Sequence, residues 1–455
     1  MKRALSLGLL LSLILSGCGN DNSATSAPDS AASPAPDSSP PPAPDSSPPP
    51  ANELLSGKSR FTNQVLSSSD ATQLTADNLA FGVDLYSQLR TSNAGKNFIF
   101  SQTSISLALA MLYGGAANNT AAQMATVLHF TLPPERLHPA FNALDLALLA
   151  MPSGASPGSF QLSIANSTWV QTGKSILPAY LDLLAQDYGT GLFVEDFQTS
   201  PENARSDINQ WVSDQTEQMI PELFAKGTIT AVTQLVLADA MFFHGAWDVA
   251  FDPNSQDAVF YAPGGDVIVP MMSVGGSAIP AGTPHNATLW SGTGWTGVSL
   301  DYAGGTTSMV LLVPNAGTFD AFEQGLTASS LRSMLTATQA PYGYVSMPRF
   351  KFSTSSNLNS VLQALGMTDA FAPGIADLSG IDGQHDLSVG NVVHQAIITV
   401  DEQGTTAAAA TGGGVIENYT SSPFVVDVPF LFFIRHNPTG AILFQGRVVD
   451  PSQAQ

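Results

Sequence analysis

Val400-Asp401-Glu402-Gln403-Gly404-Thr405-Thr406-Ala407-Ala408-Ala409-Ala410-Thr411-Gly412-Gly413-Gly414 follows an apolar run, Val392 to Val400, that reads as a strand. After Glu402 the side chains shrink, and from Gly404 to Ile416 there is neither a proline nor a charge. Such a run can be an exposed surface linker, whose small residues invite proteolysis. It also meets the demands on a strand that must enter the middle of a sheet. Central strands exclude proline, which cannot donate to the ladder, and a charge facing a core is costly unless paired. Side chains alternate between faces along a strand. One face here would carry Thr405, Ala407, Ala409, Thr411, Gly413 and Val415, all small enough to slip between existing strands. Gly412, Gly413 and Gly414 oppose this second use, each weakening a strand by roughly 0.5–1 kcal/mol relative to alanine.

Outward from this run, helical and strand-like segments mix. Phe81, Leu85 and Leu89 recur at helical spacing. Ser104 to Tyr113 is apolar nearly all round, as in a buried helix, and Gly114-Gly115 can end it. Thr120 and Gln123 predict a capping box for the next helix. Thr307 to Val313 and Pro429 to Ile434 read as further strands. There is no βαβ alternation, so the fold class is α+β. No second linker appears after about Ser59, so residues 59–455 form one domain.

The N-terminal end is different. Lys2 and Arg3 precede an apolar stretch, Ala4 to Leu15, too short to span a bilayer comfortably. Leu15-Ser16-Gly17-Cys18 then resembles the bacterial lipobox, which implies a signal peptide over 1–17, cleavage before Cys18 and lipidation of Cys18. Gly19 at the next position implies outer-membrane sorting. Residues 18–58 are the lipidated cysteine and a Pro/Ser/Ala-rich tether, in which Ala-Pro-Asp-Ser-Ser-Pro-Pro-Pro occurs at 35–42 and again at 43–50. In polyproline-like form it could reach roughly 100 Å. The expected location is therefore the bacterial cell envelope, periplasmic or at the cell surface, with the membrane bound through the lipid.

Composition excludes several functions. The net charge is −21, with 15 Lys plus Arg, so nucleic acid is not an expected partner. Cys18 is the single cysteine, and the seven histidines show no H-E-x-x-H spacing, so no metal site and no cofactor are expected.

A series of motifs supplies the family. Asn97-Phe98-Ile99-Phe100-Ser101-Gln102-Thr103-Ser104 with Ala108-Leu109-Ala110-Met111, Val194-Glu195-Asp196-Phe197, Ile208-Asn209-Gln210-Trp211-Val212 with Thr216, and Leu235 to Trp247 come first. Val269-Pro270-Met271-Met272, Leu300-Asp301-Tyr302, Ser308 to Pro314, Met347-Pro348-Arg349-Phe350, Leu365 to Phe371, Ala376 to Ser379 and Pro429 to Pro451 follow. In this order they resemble the serpins over about residues 60–451. The resemblance implies the serpin fold, with three β-sheets, eight or nine helices and an exposed reactive-centre loop. It also implies a monomeric suicide-substrate inhibitor of an endopeptidase, of serine or cysteine class, that traps its target as a covalent acyl complex and is not itself an enzyme. A non-inhibitory serpin acting as a binding module or proteolytic decoy is the alternative, and the Gly run favours it. This sequence departs from the family at Gln102, where Pro is usual, at Asp239, where Asn is usual, and at Glu195, where Val is frequent.

The resemblance also implies roles. Glu402 is the hinge glutamate, Gly404 and Thr405 begin the moving hinge, and Ala407, Ala408, Ala409 and Ala410 mark inhibitory members. With Glu402 counted as first, the seventeenth residue is Asn418, so Asn418–Tyr419 is the expected reactive bond. A shift of one residue would present Tyr419, and Val415 or Ile416 would suit elastase-like pockets. Ser101, Ser104, Asn209 and His394 are implied to form a shutter beneath the sheet that opens. Trp247 is implied at the breach, where the loop first enters. A Ser with a His invites a hydrolase reading, but no G-x-S-x-G elbow is present.

Overall fold

A computed structural model describes residues 52–63, 66–151, 161–275, 287–404 and 423–453. Among them, strands form three sheets. The first has the order β1 (Glu53–Leu54), β4 (Leu192–Glu195), β3 (Gln161–Gln171), β5 (Leu235–His244), β14 (Val389–Val400), β13 (Phe350–Asn357). The second runs β11 (Ala340–Tyr342), β8 (Ala287–Gly292), β9 (Trp295–Asp301), β10 (Thr307–Pro314), β16 (Phe430–His436), β17 (Ile442–Val448), β2 (Phe98–Phe100). The third is β15 (Phe424–Val425), β12 (Tyr344–Pro348), β7 (Gly265–Gly275), β6 (Gln256–Ala262).

Ten α-helices accompany them among the described residues: α1 (Ser68–Ser92), α2 (Gln102–Tyr113), α3 (Asn118–Val127), α4 (Pro134–Leu149), α5 (Pro178–Leu183), α6 (Pro201–Gln215), α7 (Phe319–Gln324), α8 (Ala328–Leu335), α9 (Asn359–Leu365) and α10 (Ser379–Asp382). This is the α+β, three-sheet architecture expected from the motif order.

The predicted strands 307–313, 392–400 and 429–434 lie within β10, β14 and β16, apart from Pro429, which just precedes β16. The predicted helices coincide with α1 and α2. Phe81, Leu85 and Leu89 fall on the buried side of α1, and Gln102 to Leu112 are all buried in α2. An all-apolar helix needs partners all round. α2 has them because it packs against β17 of the second sheet and against β3 and β5 of the first.

The capping box at Thr120 and Gln123 does not form. α3 begins after Ala117 with no side-chain cap. The Thr120 hydroxyl instead accepts from the Asp377 amide at 2.9 Å, and the Gln123 carbonyl oxygen accepts from the Thr368 and Asp369 amides. Tertiary partners 245 to 257 residues distant outbid the local pair, since a buried backbone N–H without a partner is expensive.

β5 shows how the first sheet is sandwiched. Leu235, Leu237, Met241 and Phe243 belong to the main core, whereas Val236, Ala238 and Ala240 join a second cluster with Ile208 and Val212 of α6. Burial on both faces explains the near-continuous apolar run. Asp239 interrupts that run on the α2 side, with no exposed surface.

Candidate functional site

The site is the junction between β5 and β14. These strands run parallel and pair directly, with Val389 opposite Leu235 and, past an irregularity at Asn391, a register carried to Ile397 opposite Phe242. Their outer neighbours β3 and β13 are antiparallel to them. A segment leaving the C-terminal end of β14 and folding back would run antiparallel to both junction strands. One slanted parallel ladder would be exchanged for two antiparallel ones, which are slightly more stable per residue.

Beneath the junction lies a buried polar cluster. His394 and Asp239 stand opposite each other across it, with Nδ1 3.2 Å from Oδ1, close enough for charge pairing though not aligned as a hydrogen bond. His394 Nε2 accepts from the Ser101 backbone N–H at 3.1 Å, so a neutral ring carries its proton on Nδ1, facing the carboxylate. Ser101 Oγ caps α2 by accepting from the Ser104 amide at 3.0 Å. Ser104 Oγ donates to Asp239 Oδ1 at 2.7 Å and lies 3.1 Å from Asn166 Oδ1 of β3. Among the described residues, Asp239 Oδ2 has no hydrogen-bond partner.

Ser101, Ser104 and His394 are thus brought together. Asn209 is not bonded to them. Its side chain accepts from the Leu223 and Phe224 amides and donates to the Phe224 carbonyl, pinning the segment after α6 to that helix. The cluster members missing from the expectation are Asp239 and Asn166. A charge in the middle of Leu235-Val236-Leu237-Ala238-Asp239-Ala240-Met241-Phe242-Phe243 was a visible signal for the first. Nothing local marks the second.

At the upper end of the junction the chain leaves β14. Trp247 is buried, stacked on Tyr302 with ring centroids 4.5 Å apart, and its Nε1–H donates to the Asp401 carbonyl at 2.9 Å. The Glu402 carboxylate accepts from the Ser255 hydroxyl and lies 3.3 Å from Arg349 Nη1, while its carbonyl accepts from the Phe251 amide at 2.8 Å. Burial works to raise the Glu402 pKa, but the Ser255 hydroxyl, its backbone bond and Arg349 outweigh it and hold the carboxyl below the ordinary glutamate range. Gly404 has φ +94°, and a Cβ there would lie 2.2 Å from the Gly245 carbonyl oxygen. The last described residue of the hinge therefore rests on the backbone that follows β5. Arg349 and Ser255 were not singled out from sequence, although Arg349 sits inside the Met347-Pro348-Arg349-Phe350 motif.

Thr405, Ala407, Ala408, Ala409, Ala410, Asn418 and Tyr419 lie outside the described residues, as does Cys18. Among the described residues, no helix is long and apolar enough to cross a membrane, and no group of three or more His, Cys, Asp or Glu could hold a metal ion.

Comparison with known proteins agrees with this geometry. The family model Serpin (serine protease inhibitor) matches residues 76–451. Leukocyte elastase inhibitor A of Mus musculus is 37% identical over 391 residues, covering 83% of this chain and all of that protein. Uncleaved ovalbumin superposes with a TM-score of 0.72 at 28% identity, over 83% of this chain and 100% of its own. Native tengpin, a thermophilic serpin, superposes with a TM-score of 0.74 at 25% identity, over 87% and 97%. Motif order, three-sheet topology and family match over most of its length converge, and the chain belongs to the serpin family of protease inhibitors.

Proposed function

We propose that the protein is a suicide-substrate inhibitor of an endopeptidase, of serine class in the first instance. The observation that carries this is the directly paired, parallel β5–β14 junction beside a hinge whose continuation, Gly404 to Ile416, has neither proline nor charge. The protease nucleophile attacks the carbonyl carbon of Asn418, the bond to Tyr419 breaks, and the Tyr419 nitrogen leaves as an amine. The segment from Thr405 onward then enters between β5 and β14, carrying the acylated protease with it before water can release it. Thr405, Ala407 and Ala409 occupy one face of that strand, and Ala408 and Ala410 the other. The decoy reading draws its support from Gly412 to Gly414, which weaken the inserted strand. Incubation with a panel of chymotrypsin-, elastase- and subtilisin-like enzymes decides between them. A covalent complex stable in denaturing gels, with its acyl residue mapped to Asn418, is the inhibitor's outcome. Cleavage without any complex supports the decoy.

We also infer an envelope lipoprotein. The lipobox frame Leu15-Ser16-Gly17-Cys18 and the Pro-rich stretch after it support a lipid on Cys18 and a tether to the membrane. Cys18→Ser should move the protein from the membrane fraction to the soluble one. Unchanged fractionation, with no lipid label on the wild type, rejects the anchor.

A further inference from the structure

We propose that the cleft between α6 and strands β3 and β4 binds a small organic cation, an ammonium ion with an apolar periphery such as a trimethylammonium group. The cleft measures about 490 Å³, within the range of small-molecule sites. Two periodicities build it. In α6, Asp207, Gln210, Trp211 and Asp214 follow the i, i+3, i+4, i+7 spacing of one helix face and line the cleft. Ala204, Ile208 and Val212 of the same helix instead join the apolar cluster shared with the sheet. On the sheet, Phe193 and Glu195 are two residues apart in β4 and so share a face. Trp169 of β3 stands beside Phe193, and Glu195 lines the cleft.

Two independent features fit the cleft to that ligand. The first is aromatic. Trp169 and Phe193 stack with ring centroids 4.4 Å apart. Trp211 stands across them, at 81° to Trp169 and 63° to Phe193. Trp169 is buried behind it, whereas Trp211 is half-buried and keeps indole surface at the cleft. A cation over an aromatic face is attracted by the ring quadrupole, and indole is the best of the three aromatic side chains for this.

The second feature is charge without a counterion. Glu195, Asp207 and Asp214 line the cleft, and no lysine or arginine does. None of the three has an ion-pair partner among the described residues. Glu195 stands where the family frequently has Val, so its carboxylate is a feature of this chain and not of the common packing. It is half-buried and accepts from the Asn52 side-chain amide. Burial, aided by repulsion from Asp207 and Asp196, pushes its pKa up in spite of that bond. A cation in the cleft would relieve this repulsion. Among the described residues the carboxylates do not gather into a group able to hold a metal ion, so a bulky organic cation that also uses the indole fits better than a compact one. None of these groups belongs to the β5–β14 junction or the hinge, and the inference stands whether or not the loop inhibits a protease.

The test is a calorimetric titration of the full-length protein with choline against 3,3-dimethylbutan-1-ol, its uncharged isostere, at fixed ionic strength in sodium chloride. Saturable choline binding is expected, at least tenfold tighter than the alcohol. Glu195→Gln should weaken choline tenfold or more and leave the alcohol unchanged. Asp207→Asn, at an exposed position of α6, should weaken choline severalfold. Trp211→Leu should weaken both probes. Gln210→Arg, exposed on the same helix face, supplies the missing cation and should abolish choline binding without shifting the melting temperature. Asp207→Asn and Gln210→Arg decide the matter if Glu195→Gln or Trp211→Leu fails to fold. The site is overturned by absence of saturable choline binding, by equal affinity for the alcohol, by sodium displacing choline at equal concentration, or by choline binding that none of the charge substitutions alters.

Discussion

At the scale of single residues, Gly404 is set by its surroundings. With φ +94° and a would-be Cβ 2.2 Å from a carbonyl oxygen, it satisfies both reasons for glycine at once. The next residue, Thr405, is the first whose side chain must enter the sheet if the loop inserts. Thr405→Arg would ask the sheet to bury an unpaired guanidinium, costing several kcal/mol. Acylation should proceed and insertion stall, so that hydrolysis wins. The variant should be cut at the same bond as wild type but consume many more inhibitor molecules per protease inactivated. Trapping as efficient as wild type would show that the loop does not work by insertion. What was legible in sequence is compositional, a small, uncharged, proline-free run after a strand and Glu402. The residues that hold it, Ser255 and Arg349, were not, because they meet Glu402 only through long-range folding.

Among elements, the β5–β14 junction is held from beneath as well as by its own ladder. His394 links it to the N-terminus of α2 through Ser101, and Asp239 links it to the same helix through Ser104. Removing one partner of a buried pair strands the other, at about 3–5 kcal/mol. His394→Ala should therefore lower the melting temperature of the intact protein and speed its spontaneous conversion to a loop-inserted form, followed by native gel at elevated temperature. Wild-type rates in that variant would show that the cluster does not restrain the strands. The placement of these elements was readable from periodicity and motif order, since long apolar runs and a helix apolar nearly all round have few alternatives. Hydrogen-bond partners were less readable. Thr120 and Gln123 had a plausible local bond yet formed distant ones, and Asn209, a polar residue in an apolar neighbourhood, proved to bind the turn after its own helix. Spacing along the chain says which polar groups are buried, and only the fold says with whom.

For the molecule as a whole, acid should be the weak side. His138 in α4 is buried with Nδ1 2.6 Å from the Tyr188 hydroxyl. Burial pushes its pKa down to about 4, against a partial upward pull from Glu135. An unfolded histidine protonates near pH 6.5, so between about pH 6.5 and 4 the unfolded chain binds more protons than the folded one. Stability therefore falls as pH drops through that window, by up to about 3 kcal/mol. Glu402 acts in the same direction at lower pH: its depressed folded pKa stabilises above the unfolded value near 4.5, and that contribution is lost as pH falls through the folded value. Urea midpoints of wild type should decline between pH 6.5 and 4, and His138→Phe should flatten that slope. Identical slopes would remove His138 from the account.

The parallel pairing of β5 with β14 bears on how the chain is born. Parallel neighbours cannot be joined by a tight turn, and here the connection runs from 245 to 388 and itself builds parts of the other two sheets. The residues just after β14 need only a hairpin to reach the same free edge. Closing a short hairpin instead of that long connection is favoured by about 3 kcal/mol of loop entropy. During synthesis, however, β14 leaves the ribosome ahead of the competing segment, which directly follows it. β14 thus reaches β5 first during synthesis, and refolding the complete chain from denaturant removes that head start.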